Sequence, residues 1–83
     1  MTEFVATIHV RPKDEVRDPQ GEAVAGALRS LGYQVAGVRT GKEIVVRFTA
    51  DDEARARDAA RTMGDRLLAN PVIEDHTVEV APA

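Results

Sequence analysis

The chain has 83 residues, a net charge of -3 and no cysteine. That length allows one domain, 1–83, burying roughly 60–65% of its unfolded surface, so its stability alone is marginal and association is a standard remedy. The missing cysteines exclude disulfides, zinc–thiolate sites and thiol nucleophiles, and the acidic balance argues against a nucleic-acid partner held by counterion release.

From the start, Phe4, Ala6, Ile8 and Val10 alternate with Val5, Thr7, His9 and Arg11, which predicts a strand with one apolar face ended by Pro12. That opening is strand-like rather than leader-like, and no apolar run approaches the ~18–20 residues of a membrane span. The expectation is a cytoplasmic protein. Residues 12–17 form a charged loop. Asp18-Pro19-Gln20-Gly21 then reads as a helix start, with Asp18 as N-cap and Pro19 at the first helical position, where no amide bond is lost. Ala23, Val24, Ala27, Leu28 and Leu31 make its apolar stripe, and Gly32 is the stop.

Tyr33 to Arg39 reads as a second strand, joined through a tight hairpin at Thr40-Gly41-Lys42-Glu43 to a third strand whose inward face is Ile44, Val46 and Phe48. Thr49 or Asp51 is the expected cap of a second helix, whose buried stripe is Ala56, Ala59, Ala60, Met63, Leu67 and Leu68. Asn70, in a left-handed conformation, and Pro71 close that helix, and a last strand runs from Val72 to Val80. The predicted order is β-α-β-β-α-β: an α+β, two-layer, ferredoxin-like-related sandwich with an antiparallel sheet and both helices on one face.

Little in this inventory does chemistry. His9 and His76 have no serine or cysteine near them in sequence, and the one serine, Ser30, sits late in a helix. Glu74 and Asp75 point to opposite faces of a strand and do not chelate together. The glycines match neither the Walker spacing nor G-x-G-x-x-G. Phe4, Tyr33 and Phe48 are too few for a base-stacking platform. Neither catalytic, cofactor-binding nor metal-ligating residues are therefore assigned.

Three segments nevertheless form a recognisable set: Asp18-Pro19-Gln20-Gly21 leading to Ala27-Leu28 and Leu31-Gly32; Val38-Arg39-Thr40-Gly41-Lys42; and Leu67-Leu68-Ala69-Asn70-Pro71-Val72-Ile73-Glu74-Asp75. In this order and spacing the chain resembles the PurS family, small subunits of phosphoribosylformylglycinamidine synthase, over roughly residues 3 to 80. The family pattern has Tyr after Glu-Asp where this chain has His76. The resemblance implies a subunit without a reaction centre, working with a glutaminase, PurQ, and a synthetase, PurL, in purine biosynthesis. ATP and Mg²⁺ would be used by the synthetase, and ammonia would pass between the two partners. It also implies a homodimer or higher homo-oligomer. Surface residues of the matching segments, Asp18, Gln20, Arg39, Lys42, Asn70 and Glu74, are the expected subunit contacts. Asp18 and Asn70 also have caps and turns to make, whereas Arg39 and Lys42 have no evident structural duty in the sequence. The competing readings are an ACT-like regulatory dimer, which would place a glycine turn after the first strand, and an acyl-phosphate hydrolase, which would need a glycine-rich cradle there.

Overall fold

Alternation in the first strand is obeyed to the letter. In the computed structural model, which describes Met1–Ala83, Phe4, Ala6, Ile8 and Val10 are buried on one face of β1, Thr2–Pro12. Strand β1 is the centre of a three-stranded antiparallel sheet of order β2-β1-β3, with β2 at Lys42–Ala50 and β3 at Glu74–Pro82. The register sets Ile8 between Ile44 on one side and Val78 on the other, and Ala6 between Val46 and Val80. Side chains of period two therefore build one continuous apolar row across three strands.

Helix α2, Glu53–Met63, covers that face. Its Ala56 and Ala60 are fully buried, and their small size lets the helix backbone come close to the sheet. Asp52, rather than Thr49 or Asp51, is the cap: its carboxylate accepts from the Arg55 amide at 2.8 Å. The helix does not run unbroken to Leu68. It widens into a π-turn at Gly64–Leu68, closed by Ala69 N–H donating to the Gly64 carbonyl at 2.9 Å, which turns Ala69 into the core and leaves Leu67 exposed. Gly64 is required by what lies above it. A Cβ there would fall on the His76 ring, whose Cε1 is 2.9 Å from that point, and His76, with 15% of its side chain exposed, has little room to swing away. Gly64→Ala is expected to cost about 1–3 kcal/mol through this overlap. In a His76→Ala background the cost should vanish, because Ala is otherwise the better helix residue. Urea unfolding of the four proteins in that cycle reads the coupling directly; equal costs in both backgrounds would remove the ring as the cause.

The α+β class with an antiparallel sheet and two helices is what the sequence led one to expect, but three further details differ. Tyr33–Arg39 is not a strand, and Thr40–Glu43 is not a hairpin. Instead residues 31–41 are an irregular connection from α1, Pro19–Ser30, to β2. Leu31 and Gly32 end α1, with Gly32 at φ +97° and the Tyr33 amide returning to the Leu28 carbonyl at 3.1 Å. The Arg29 guanidinium then donates to the Val35 carbonyl at 2.8 and 3.1 Å, holding the segment away from any strand pairing. The second difference is that Asn70 is not left-handed. Its side-chain oxygen accepts from the Val72 amide at 3.0 Å, its carbonyl accepts from Ile73 and Glu74, and β3 starts at Glu74 rather than Val72.

The third difference concerns α1. It barely touches the sheet, whereas α2 packs chiefly on β3, less on β1 and least on β2. The body measures 51 × 26 × 14 Å with a radius of gyration of 16.1 Å, against about 12 Å for a compact chain of this length. Only 12 of 83 residues are buried. Two helices on one face of one sheet is therefore not the packing of the single chain.

Candidate functional site

The three segments singled out in the sequence meet at one end of the molecule, where β1 leaves the sheet. Asp18 makes the first link. Its carboxylate caps α1 by accepting from the Gly21 amide at 3.0 Å, and it also accepts from the Thr40 amide at 2.6 Å and the Thr40 hydroxyl at 2.9 Å. These donors, the Thr40 amide foremost and the Arg39 charge last, hold its carboxyl below the usual carboxylate range. The sign follows: the carboxylate is favoured in the folded chain, so the stability it contributes is complete above the unfolded carboxyl value and is lost as pH falls through the lower folded value. Asp18→Asn should lower the melting temperature at neutral pH and flatten the loss of stability on acidification below about pH 4. Thermal melts from pH 7 to pH 2 check it; parallel curves for the two proteins would contradict it.

Arg39 makes the second link. It has the structural duty that the sequence does not reveal: its guanidinium donates to the carbonyls of Lys13 at 2.8 Å, Val16 at 2.9 Å and Pro12 at 3.3 Å. One nitrogen of a charged guanidinium, Nη2, thus serves three carbonyls of the 12–17 loop. Lys13 makes the third link. Its amide donates to the Ile73 carbonyl at 2.9 Å, and its ammonium stands 3.6 Å from Asp75.

Between these links lies an open cleft of about 250 Å³ lined by Val10, Pro12, Gln20, Thr40, Gly41, Lys42 and Glu74. Arg39 lines a smaller hollow beside it with Arg11, Pro12, Asp14 and Asp75. Of the six expected contacts, Gln20, Lys42 and Glu74 therefore share one cleft and Arg39 the adjoining one. Asp18 is buried beneath them. Asn70 is set back in the turn that delivers Glu74, whose carboxylate accepts from the Asn70 amide at 2.7 Å. Asp18, Arg39, Asn70 and Glu74 are tied into the frame; Gln20 and Lys42 are exposed on its rim. Sequence reasoning missed Lys13 and Thr40 as parts of the frame. The Thr-Gly pair following Arg39 is the available signal, since Gly41 lies too close to the Val10 carbonyl to carry a side chain.

Neither histidine stands beside a nucleophile. His9 faces Glu43 at 3.8 Å and Glu79 at 3.9 Å on the uncovered side of the sheet. His76 faces Asp65 at 3.7 Å, on a larger groove of about 390 Å³ lined also by Arg61, Thr77 and Val78 that holds none of the six residues.

A profile of the PurS family, described as phosphoribosylformylglycinamidine (FGAM) synthase, matches residues 5–82. The chain belongs to the PurS family. Among the PurS relatives, the phosphoribosylformylglycinamidine synthase subunit PurS of Synechocystis is 46% identical over 74 residues, 88% of this chain and 74% of that protein. The Bacillus subtilis PurS subunit is 43% identical over 79 residues, 93% of this chain and 92% of that protein. Solved structures agree. Thermus thermophilus PurS superposes with a TM-score of 0.88 at 39% identity, covering 98% of both chains. A chain in the structure of PurLQS from Thermotoga maritima also gives 0.88, at 33% identity over 98% of this chain and 100% of that one.

Proposed function

We propose that this chain is the non-catalytic small subunit of phosphoribosylformylglycinamidine synthase, docking a PurQ glutaminase against a PurL synthetase for purine biosynthesis in the cytoplasm. The observation that carries this reading is the likeness, over nearly its full length, to a chain of the Thermotoga PurLQS assembly. In this scheme the glutaminase releases ammonia from glutamine. The synthetase uses ATP and Mg²⁺ to activate the amide oxygen of formylglycinamide ribonucleotide, and ammonia displaces phosphate to give the amidine. The chain itself contributes no reacting group, and it binds neither nucleotide nor metal. Its work is proximity: ammonia freed into neutral water is protonated and diluted, so the two active sites must be held together. The family resemblance further supports a homodimer as the working unit, and the small buried core gives the single chain a reason to associate.

The end cleft is the proposed docking surface, with Gln20 and Lys42 the residues able to change without disturbing the frame. Glutamine-dependent amidine formation should be assayed with a synthetase and a glutaminase from the same source, with and without this chain. Activity should depend on the chain, and ammonia-dependent activity should depend on it less. Lys42→Glu should weaken assembly at least several-fold while leaving the melting temperature within about 2 °C, as befits an exposed substitution. Indifference of glutamine-dependent activity to the chain would overturn the function. Unchanged assembly of the Lys42 and Gln20 variants would overturn the docking surface alone.

A further inference from the structure

The structure assigns the hollow beside Gly41 to an acidic peptide of a partner subunit, whose carboxylates Arg11 and Lys42 receive. This rests on the docking role proposed above and specifies what the partner must present there. The chain carries eleven lysines and arginines, and most are engaged. Their head groups stand against carboxylates, as Arg17 does on Glu22, or on main-chain carbonyls, as Arg29 and Arg39 do. Arg11, Lys42 and Arg66 make neither kind of contact, whereas every other lysine and arginine makes one. Arg66 stands apart on the π-turn. Arg11 and Lys42 line one hollow of about 270 Å³ with His9, Val10, Gly41 and Glu43, and both are exposed.

Backbone geometry places the two cations. Strands β1 and β2 stay paired until Val10 meets Lys42, so Arg11 and Gly41 lie where the strands part. The Arg11 stem crosses Gly41, with Cγ 2.8 Å from the point where a Cβ would stand; a side chain there would displace it. Lys42 also lines the end cleft, so the hollow continues the docking surface around its rim. Nearby acids do not supply the missing counter-charge. Glu43 faces His9 at 3.8 Å, Asp75 faces Lys13 at 3.6 Å, and the Glu74 carboxylate accepts from the Asn70 amide. Asp14 shares the smaller hollow with Arg11 without pairing with it. Two uncommitted like charges in one hollow raise each other's electrostatic energy, and an incoming carboxylate relieves it. Arg11 offers a planar fork for a bidentate carboxylate, and Lys42 a mobile point charge. A free phosphate suits the place less well. It would meet the charge of Glu43 on the rim, whereas a peptide can aim its carboxylates at Arg11 and Lys42 and its neutral backbone at Glu43. The chain's net charge is -3, so an acidic surface is repelled by the molecule as a whole. A local pair of free cations then fixes where such a surface lands, which orients the encounter as well as holding it.

Purified synthetase and purified glutaminase from the same source should each be titrated with the chain, with Arg11→Gln, with Lys42→Gln and with the double variant, at low and at raised salt. One of the two enzymes is expected to bind each single variant several-fold more weakly and the double variant more weakly still, with a flatter salt dependence. Arg11→Lys should restore most of the affinity, and Arg66→Gln should bind as the unaltered chain does. The variants should keep the melting temperature, because neither head group holds a contact within the fold. Unchanged affinity and salt dependence of the double variant toward both enzymes, with glutamine-dependent activity still requiring the chain, overturns the acidic-peptide site and leaves the subunit role standing. A chain that neither enzyme binds and that glutamine-dependent activity ignores overturns the subunit role and the site with it. If inorganic phosphate raises the melting temperature of the free chain but not of the double variant, the hollow belongs to a small anion. If the double variant loses self-association in sedimentation, the hollow belongs to a contact between copies. Either of these two results overturns the proposal.

Discussion

Ile8→Ala is expected to lower the unfolding free energy by about 3–4 kcal/mol, the range for truncating a fully buried Ile in a packed core. Ile8 has no exposed surface and sits at the crossing of the molecule's only apolar rows, between Ile44 and Val78 along the sheet and among the residues clustered with Ala60 and Ala69. A chain of this length has about 4–12 kcal/mol in total, so this single change removes about a quarter of it at the least. Neighbours cannot collapse into the space readily, because β1 is pinned by a strand on each side. Ile8→Val, which deletes one methylene, should cost about 1 kcal/mol. Denaturant midpoints of the three proteins test the ratio. Equal losses for Val and Ala would show that side-chain volume at this position is not what the core depends on.

Gly41→Ala is expected to be nearly as damaging, about 3 kcal/mol at the upper end of what overpacking costs, and to act on a different part. A Cβ at residue 41 would fall on the Val10 carbonyl oxygen and come within 2.8 Å of Arg11 Cγ. Val10 lies in the central strand and cannot retreat, so residues 38–41 must lift instead. That movement withdraws Thr40 from Asp18 and Arg39 from the carbonyls of Pro12, Lys13 and Val16. Hydrogen exchange should therefore show early loss of protection at the Gly21 and Thr40 amides while amides of β1 keep theirs. Assembly with the synthetase and glutaminase should fail before the sheet does. Uniform loss of protection across the chain would refute this separation of frame from sheet.

Gly21 obeys the same logic at the other side of the frame, since a Cβ there would strike the Val38 carbonyl and stand 2.7 Å from the Asp18 carboxylate. Gly21 and Gly41 are thus spacing elements. They let three stretches of backbone approach one another closely enough for one aspartate and one arginine to tie them.

The parts of this fold legible in the sequence are those whose signal is local. The alternation of Phe4 to Val10, the Asp18-Pro19 start of α1, the Gly32 stop and the Ala-rich stripe of α2 each follow from residues a turn or a step apart. The failures share a different cause. Tyr33–Arg39 has enough alternation to suggest a strand, but both sides of β1 are taken by β2 and β3, and Arg29 and Arg39 tie that connection to carbonyls instead of leaving it free to pair. The need for glycine at position 64 is set by His76, twelve residues on and in another element. The cap at Asp52 in place of two neighbouring candidates is a matter of one residue of phase. In the same way four of the six expected contacts, Gln20, Arg39, Lys42 and Glu74, line adjoining hollows, yet the sequence could not show that Arg39 serves the backbone and Lys42 does not.

The order of the strands has a consequence for how the chain is made. Every partner of β1 is synthesised after it: β2 follows some forty residues later by the register Thr7↔Val45, and β3 some seventy later by Thr7↔Glu79. The first strand must wait some forty residues for its first partner and some seventy for its second. Folding that depends on such distant pairings is slow for so small a chain, and the waiting segment is open to misassociation. In a cell, the nascent chain would profit from a chaperone on Phe4–Val10 far more than the finished one.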